Sequence, residues 1–197
     1  MSAWPGGAVG RDARRAIDAV WRIESPRLIA GLARMTRDVG LAEDLAQDAL
    51  VAALERWPES GVPDNPGAWL IATARRRAID QFRRRATLRR HERALLRELE
   101  DRQEASAPDP VAAADDIGDD LLRLVFTACH PVLAPEARVA LTLRMLGGLT
   151  TAEIARAFLA TEATVAQRIV RAKRTLAAAA VPFEVPTGPE LSERLAS

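Results

Sequence analysis

Residues 150–176 read TTAEIARAFLATEATVAQRIVRAKRTL, and this stretch decides the fold of the C-terminal half of the chain. Its opening, Thr150 to Glu153, has the form of a capping box, in which a hydroxyl and a carboxylate satisfy the free N–H groups that begin a helix. Thr161 can cap a second helix, whose apolar residues recur at spacings of four, three and four: Val165, Ile169, Ala172 and Leu176. Two short helices separated by about three residues predict a helix-turn-helix, the second helix of which can enter the major groove of DNA.

The second helix of this motif carries polar side chains on the side away from its apolar stripe. Glutamine and arginine are the side chains that recognise adenine and guanine edges through paired hydrogen bonds. The candidate DNA contacts of this helix are Thr164, Gln167, Arg168, Arg171, Lys173 and Arg174. The alternative is an ordinary helical hairpin with a solvated basic face, because Leu159 stands at the turn position where a glycine would strengthen the motif.

Another basic helix is predicted in the N-terminal half. Winding residues 71–85 at about 3.6 residues per turn separates an apolar side from a basic side. The basic side holds Arg76, Arg77, Asp80, Arg83 and Arg84. Asp80 lies four residues from both Arg76 and Arg84, which predicts an ion pair that orients these arginines. Trp69, one turn earlier, is interpreted either as a core residue or as a platform that stacks on unpaired bases.

The helix predicted before this one has apolar residues on two faces. Its main apolar side comprises Ala46, Leu50, Ala53, Leu54 and Trp57. The opposite side holds Leu41, Leu45 and Val51 among the acids Asp44, Asp48 and Glu55. A helix of this kind needs two neighbours, so either the domain covers the second face or an external protein with a basic surface does.

Periodicities of three and four residues dominate the 197-residue chain, and no strand pattern of useful length interrupts them. We therefore predict an all-α protein of two small helical domains joined by an acidic linker. The predicted divisions are a disordered leader at 1–12, a first domain at 13–93, the linker at 94–115, a second domain at 116–180 and the start of an extension at 181–197. The predicted helices lie at 13–39, 42–57, 66–93, 116–129, 135–146, 151–158 and 162–179.

The net charge of +1 conceals a strong segregation of charge along the chain. Residues 75–93 contain nine arginines and two acids, whereas residues 98–120 contain nine acids and one arginine. A dense arginine run is typical of a surface that binds a polyanion, although a solvated helix face has the same composition.

Several classes of protein are disfavoured by the sequence. No apolar run approaches the roughly 20 residues of a membrane span and no secretory signal opens the chain, so we expect a cytoplasmic protein. Cys129, the single cysteine, stands beside His130, but a closed zinc site needs four ligands. We interpret Cys129 as a buried cysteine at a helix end, and we expect no metal, no cofactor, no small-molecule substrate and no enzymatic activity.

Three segments occur in one order along the chain. They are AEDLAQDAL at 42–50, AWLIATARRRAID at 68–80, and the helix-turn-helix that ends in AKRTL at 172–176. Together they resemble the extracytoplasmic-function (ECF) class of RNA polymerase sigma factors, over residues 13–180. Residues 183–195 are similar to the junction found in a subgroup with a C-terminal helical extension.

The resemblance implies a role for each predicted helix. The domain at 13–93 would be sigma region 2 and that at 116–180 would be region 4. The acidic helix would dock on the clamp coiled coil of the polymerase largest subunit through Asp44, Gln47 and Asp48, beside Leu41 and Leu45. The melted minus-ten element would be held by the loop at 60–65 and by Asn65, Trp69, Arg76, Arg77, Arg83 and Arg84. The minus-thirty-five element would be read by the candidate contacts of the last helix. The family usually has asparagine where Arg76 stands.

The implied partners are core RNA polymerase, promoter DNA, and either a regulator or the chain's own C-terminal extension. Two other functions remain open at this point: a helix-turn-helix regulator that binds operators alone, and an adaptor that uses the basic helix for protein or RNA. A free-standing repressor would need a dimer surface to match a palindromic operator, and it has no need of the two-faced acidic helix.

Overall fold

The computed structural model describes residues 8–97 and 117–196, and every regular element in these ranges is an α-helix. The helices are α1 (Ala8–Thr36), α2 (Val39–Ser60), α3 (Pro66–Arg97), α4 (Ile117–Ala128), α5 (Pro135–Met145), α6 (Thr151–Ala157), α7 (Glu162–Ala178) and α8 (Pro189–Ala196). The all-α prediction is confirmed. Most of the predicted acidic linker lies outside the described residues.

The helix boundaries differ from the predicted ones mainly near the N-terminus. Helix α1 begins at Ala8, so residues 8–12 are helical and do not belong to the predicted leader. Helix α1 also ends at Thr36 rather than near residue 39, because Arg37 adopts a positive φ of 55°. Asp38 then caps α2, and its side chain accepts a hydrogen bond of 3.0 Å from the Leu41 N–H. Helix α3 continues to Arg97, four residues into the predicted linker.

Helices α1, α2 and α3 form an N-terminal unit. Its core combines branched side chains with a row of alanines on α2, which lets the helices approach closely. Fully buried members include Leu28, Ile29 and Leu32 on α1, Ala42, Ala46, Ala49 and Ala53 on α2, and Leu70, Ala74 and Ala78 on α3.

Helices α4 to α7 form a C-terminal unit around Leu124, Leu141, Met145, Ile154, Val165 and Ile169, each buried. The segment after α7 returns to this unit, because Phe183 and Pro186 are also buried. The two units are in contact: α1 packs against α4, and α2 lies against α7. Their buried apolar residues form one continuous cluster, which places the acidic helix α2 beside the last helix of the helix-turn-helix.

Candidate DNA- and protein-binding surfaces

The helix-turn-helix of the C-terminal unit has the predicted capping geometry. Thr150 Oγ1 accepts a hydrogen bond of 3.2 Å from the Glu153 N–H, and the Thr150 N–H donates to Glu153 Oε2 at 2.8 Å. The Thr150 hydroxyl also donates to Glu153 Oε2 at 2.9 Å, and the two hydrogen bonds that this carboxylate accepts from the Thr150 N–H and hydroxyl lower the pKa of Glu153. Thr161 caps α7 by accepting from the Thr164 N–H at 3.1 Å. Both predicted caps are confirmed, and they fix where α6 and α7 begin.

The turn between α6 and α7 is made without glycine. Leu159 occupies the turn with a φ of 50°, and its side chain is 97% exposed. The left-handed conformation costs an L-residue about 1–2 kcal/mol. The turn survives because the Ala160 N–H donates to the Ala155 carbonyl at 2.9 Å and both flanking helices are anchored in the core.

Helix α7 buries its predicted stripe and exposes most of its candidate DNA contacts. Val165, Ile169, Ala172 and Leu176 are buried. Thr164, Gln167, Arg171 and Arg174 are exposed and Arg168 is half-buried. Thr164, Gln167, Arg168 and Arg171 line an open groove, whose other wall is the segment 132–137. Lys173 differs from this group, since its side chain is only 17% exposed and turns toward α2.

Helix α3 presents a row of arginines to solvent. Arg76, Arg83 and Arg84 are exposed, and Arg77 is half-buried beside Asp48, at an Nη1–Oδ2 distance of 3.5 Å. The predicted ion pairs of Asp80 with Arg76 and Arg84 are absent among the described residues, so that prediction is wrong. On this exposed face, long solvated side chains gain too little from pairing to hold one geometry. The arginine row therefore stays available to an external anion.

A tryptophan near the end of α2 packs against one near the start of α3. Trp57 is buried and Trp69 is half-buried; their ring centroids are 5.3 Å apart, edge to face at 67°. They line an open pocket together with Gly61 and Pro63, and Trp57 Nε1 has no hydrogen-bond partner among the described residues. Asn65 lies at the entrance of α3, where its Oδ1 accepts from the Ala68 N–H at 3.0 Å. Trp69 thus contributes both to the core and to an accessible aromatic surface.

The second apolar face of α2 is largely covered within this chain. Leu45 is buried and Leu41 is half-buried, whereas Val51 is 48% exposed. Of the neighbouring acids, Asp44 and Asp48 are exposed. The first of the two explanations for the two-faced helix therefore holds for Leu41 and Leu45, since Leu45 belongs to the core cluster of the chain and Leu41 packs against that cluster.

A buried carboxylate joins α2 to the C-terminal unit. Glu43 is 3% exposed, and its Oε1 accepts from Arg144 Nε at 2.9 Å while its Oε2 accepts from Lys173 Nζ at 2.7 Å. Gln47 also donates to Glu43, and Lys173 Nζ lies 2.7 Å from Asp44 Oδ1. We call Glu43, Arg144 and Lys173 the Glu43 cluster. Burial raises the pKa of Glu43, but the charges and hydrogen bonds of Lys173 and Arg144 outweigh burial and set the pKa below its ordinary value.

Two family models match the chain in the positions of these two units. They are Sigma-70 region 2 over residues 21–87 and Sigma-70, region 4 over residues 123–176. The ECF RNA polymerase sigma factor SigK of Mycobacterium ulcerans (strain Agy99) is 30% identical over 173 residues, which cover 85% of this chain and 87% of that protein. The chain belongs to the ECF sigma factors.

Other relatives of this sigma factor are longer. The uncharacterized protein R00370 of Rhizobium meliloti is 43% identical over 87% of this chain and 40% of its own length. The probable ECF sigma factor SigI of Mycobacterium tuberculosis is 30% identical over 81% of this chain and 54% of its own length. The chain thus spans about half the length of these two relatives. A solved structure of the sigma factor RpoE in complex with the anti-sigma factor NepR from Bartonella quintana also matches, with a sequence identity of 22% and a TM-score of 0.34. The match covers 84% of this chain and 94% of that chain.

The Glu43 cluster of this sigma factor was not predicted from the sequence. A local signal for it exists: Lys173 stands four residues after Ile169 and three before Leu176, at the edge of the buried stripe. Glu43 likewise stands four residues after Val39 and three before Ala46, both buried. These spacings place both charges beside apolar surface. They do not reveal that the two side chains meet, because 130 residues separate them.

Cys129 is exposed, not buried as predicted. Helix α4 ends at Ala128, so Cys129 falls in the following turn, where its Sγ lies 3.5 Å from Thr142 Oγ1. His130 Nδ1 accepts from the Val132 N–H at 3.1 Å. Within 8–97 and 117–196, no group of three or more His, Cys, Asp or Glu side chains could hold a metal ion. The helices in these ranges include none whose length and apolar character would suit a membrane span.

Proposed function

We propose that this chain is a promoter-specific sigma subunit that directs core RNA polymerase to selected promoters and promotes formation of the open complex. One observation carries the proposal: regions 2 and 4 occur in one chain, and each presents an exposed basic helix, α3 and α7. The chain would act in the cytoplasm, where the polymerase is. It would work by binding, without a covalent step of its own, so we do not regard it as an enzyme.

Helix α2 is the proposed polymerase-binding element. Asp44, Gln47 and Asp48 would meet the clamp coiled coil of the polymerase largest subunit, beside Leu41 and Leu45. Exposed carboxylates next to apolar side chains suit a partner that carries basic and apolar groups together. The exposure of Asp44 and Asp48 supports this role.

Helix α3 is proposed to bind the minus-ten element. Arg76, Arg77, Arg83 and Arg84 would bind the phosphates of the opened strand. The pocket beside Trp57 and Trp69 would accept an unstacked base, and Asn65 would contribute a further contact. Aromatic faces gain about 1–3 kcal/mol from each base that stacks on them. This binding energy, available only for single-stranded DNA, would favour melting of the duplex.

Helix α7 is the proposed minus-thirty-five reader. Gln167, Arg168 and Arg171 line its groove and are the side chains suited to base edges. Thr164 lines the same groove, and Arg174 is exposed on the same helix. Lys173 would join this set only after it leaves Glu43. A regulator or a C-terminal extension remains a proposed further partner.

The direct test is transcription from a pool of promoter fragments. The chain is added to purified core polymerase, and run-off products are sequenced; we expect transcripts that share two promoter elements and that core alone does not make. Changing Asp44 and Asp48 to arginine should abolish binding to core in gel filtration at low salt. The matched control is Asp18→Arg, an exposed acid on α1. Absence of core binding by the unchanged chain would refute the proposal, and tight operator binding without polymerase would favour the stand-alone regulator.

A further inference from the structure

The Glu43 cluster commits the proposed polymerase-binding face of α2 to contacts within the chain. Leu45 is 3% exposed, Gln47 donates to Glu43, and Asp44 holds Lys173 of α7. Asp48 is the exception, because it is exposed and pairs with Arg77 inside the N-terminal unit. Most of the groups that would meet polymerase are therefore already engaged.

A second buried carboxylate also joins the two units, but here the carboxylate belongs to the C-terminal unit and the cation to the N-terminal unit. Asp120, on α4 of the C-terminal unit, is 4% exposed, and its Oδ2 lies 2.9 Å from Arg34 Nε on α1 of the N-terminal unit. Each unit thus inserts one buried carboxylate that a cation of the other unit neutralises. A buried carboxylate is tolerated only while it is paired and hydrogen-bonded. The two units are therefore joined through specific charge pairs as well as through apolar packing.

We propose that the Glu43 cluster holds a closed form of this sigma factor in which α7 occupies the polymerase-binding face of α2, and that core polymerase binds only after the cluster opens. The inference rests on the proposed function. Separation of the units would return Glu43 and Arg144 to water and would free Lys173 for DNA. Closure and polymerase binding are then alternatives, and the closed fraction lowers the apparent affinity for core.

The geometry beside the cluster allows the closed form to be fixed covalently. A Cβ built on Gly40 would lie 3.7 Å from the Cβ of Lys173, at the usual Cβ separation of a disulfide. Its closest other neighbour, Asp38 Oδ1 at 3.1 Å, is the end of an exposed side chain. The test variant is Gly40→Cys/Lys173→Cys with Cys129→Ser, so that the two new thiols are the only ones in the chain.

The measurement is affinity for core polymerase without DNA, since Lys173 is itself a proposed DNA contact. We expect oxidation to weaken core binding by about tenfold or more, and reduction of the same sample to restore it. Equal binding by the oxidised and reduced forms would overturn the proposal. Because Lys173→Cys itself removes one cation of the cluster, failure of the disulfide to form would leave the decision to the Arg144→Gln variant. If the unchanged chain does not bind core at all, the proposed function fails instead.

An opening variant tests the same inference from the other side. Arg144 belongs to neither the proposed polymerase contacts nor the proposed DNA contacts, and Arg144→Gln removes one of the two cations from Glu43. We expect it to bind core about threefold or more tightly, with its helical content unchanged by circular dichroism. The control is Arg156→Gln, an exposed arginine of the same unit. Unchanged or weaker core binding by a folded Arg144→Gln variant would contradict the proposal.

Discussion

The arginines of α3 and the cations around Glu43 are all basic side chains, but they differ in exposure and in whether a carboxylate of the chain binds them. Arg76, Arg83 and Arg84 are exposed, and no carboxylate of the described residues pairs with them. Arg144 and Lys173 are each 17% exposed, and both bind the buried Glu43. A basic side chain on a helix therefore does not indicate a nucleic-acid surface until its own partner is known.

The difference has an energetic origin. An exposed arginine keeps its hydration and loses little when it is unpaired, so the α3 row can exchange solvent for phosphate. Glu43 cannot remain buried without its cations, so Arg144 and Lys173 are occupied as long as the two units stay together.

The largest effect is expected from the exposed row. Changing both Arg83 and Arg84 to alanine should weaken promoter binding by the polymerase complex by about 3 kcal/mol, or roughly 100-fold, because two charged contacts are lost. The slope of log affinity against log salt should fall by about 1.4 if both contacts are to single-stranded phosphates. Sequence preference should be unchanged, as judged by selection from a random promoter pool.

The control for that change is a pair of exposed arginines on α1, Arg15 and Arg27. If their replacement by alanine lowers affinity and salt slope to the same extent, the effect is one of net charge. In that case the α3 row has no special role.

The next effect concerns a single groove-lining side chain on the helix that also carries Lys173. Arg168→Ala should cost about 1–3 kcal/mol on the preferred promoter and should relax the preference at one position of the minus-thirty-five element. The measurement is affinity for a set of promoters that differ at single positions. An equal loss on every promoter would assign Arg168 to phosphate contact.

The contrast also shows which features the sequence could predict. The capping box at Thr150 and the stripe from Val165 to Leu176 depend on spacings within one helix, and both are confirmed. The end of α1 was misplaced because the left-handed conformation of Arg37 has no signal in the residue type. The burial of Cys129 was predicted wrongly because α4 ends at Ala128, one residue before the predicted end, and Cys129 therefore lies in an exposed turn.

The residues of the candidate site also differ in whether the sequence could predict their positions. The exposure of the α3 arginines follows from local periodicity. The position of Lys173 does not, because its orientation is decided by Glu43, which belongs to another unit. Glu43 is buried for a comparable reason, since its cations Arg144 and Lys173 lie more than 100 residues later in the chain. Contacts between units are set by tertiary packing and leave little trace in a single helix pattern.

A smaller effect is expected from pH, and it should act through the Glu43 cluster. The pKa of Glu43 in the folded chain lies below its ordinary value of 4.5. The contribution of Glu43 to closure is therefore fully present above pH 4.5 and is lost as the pH falls through the pKa of the folded chain. Burial lowers the pKa of Lys173, but Glu43 and Asp44 raise it above 10.5, so its contribution is lost only as pH rises past that value.

Closure should therefore be constant from about pH 5 to about pH 10 and should weaken below that range. Energy transfer between labels on Cys129 and on an Ala19→Cys variant would report it, because the two labels lie on different units. Opening centred near neutral pH would contradict the assignment, since neither Glu43 nor Lys173 titrates there.

The smallest effect is expected from an exposed cation at the same boundary. Arg22 Nη2 lies 2.5 Å from Glu153 Oε1, but the Arg22 side chain is 62% exposed. Glu153 also keeps its hydrogen bonds to Thr150 when Arg22 is removed. Arg22→Ala should therefore change the free energy of unfolding by no more than about 0.5 kcal/mol in urea titration, as for other exposed pairs. Arg144→Gln, at a buried pair across the same two units, should change it more. Equal losses would show that burial of Glu43 does not set the strength of the boundary, and closure would then depend on the total charge between the units.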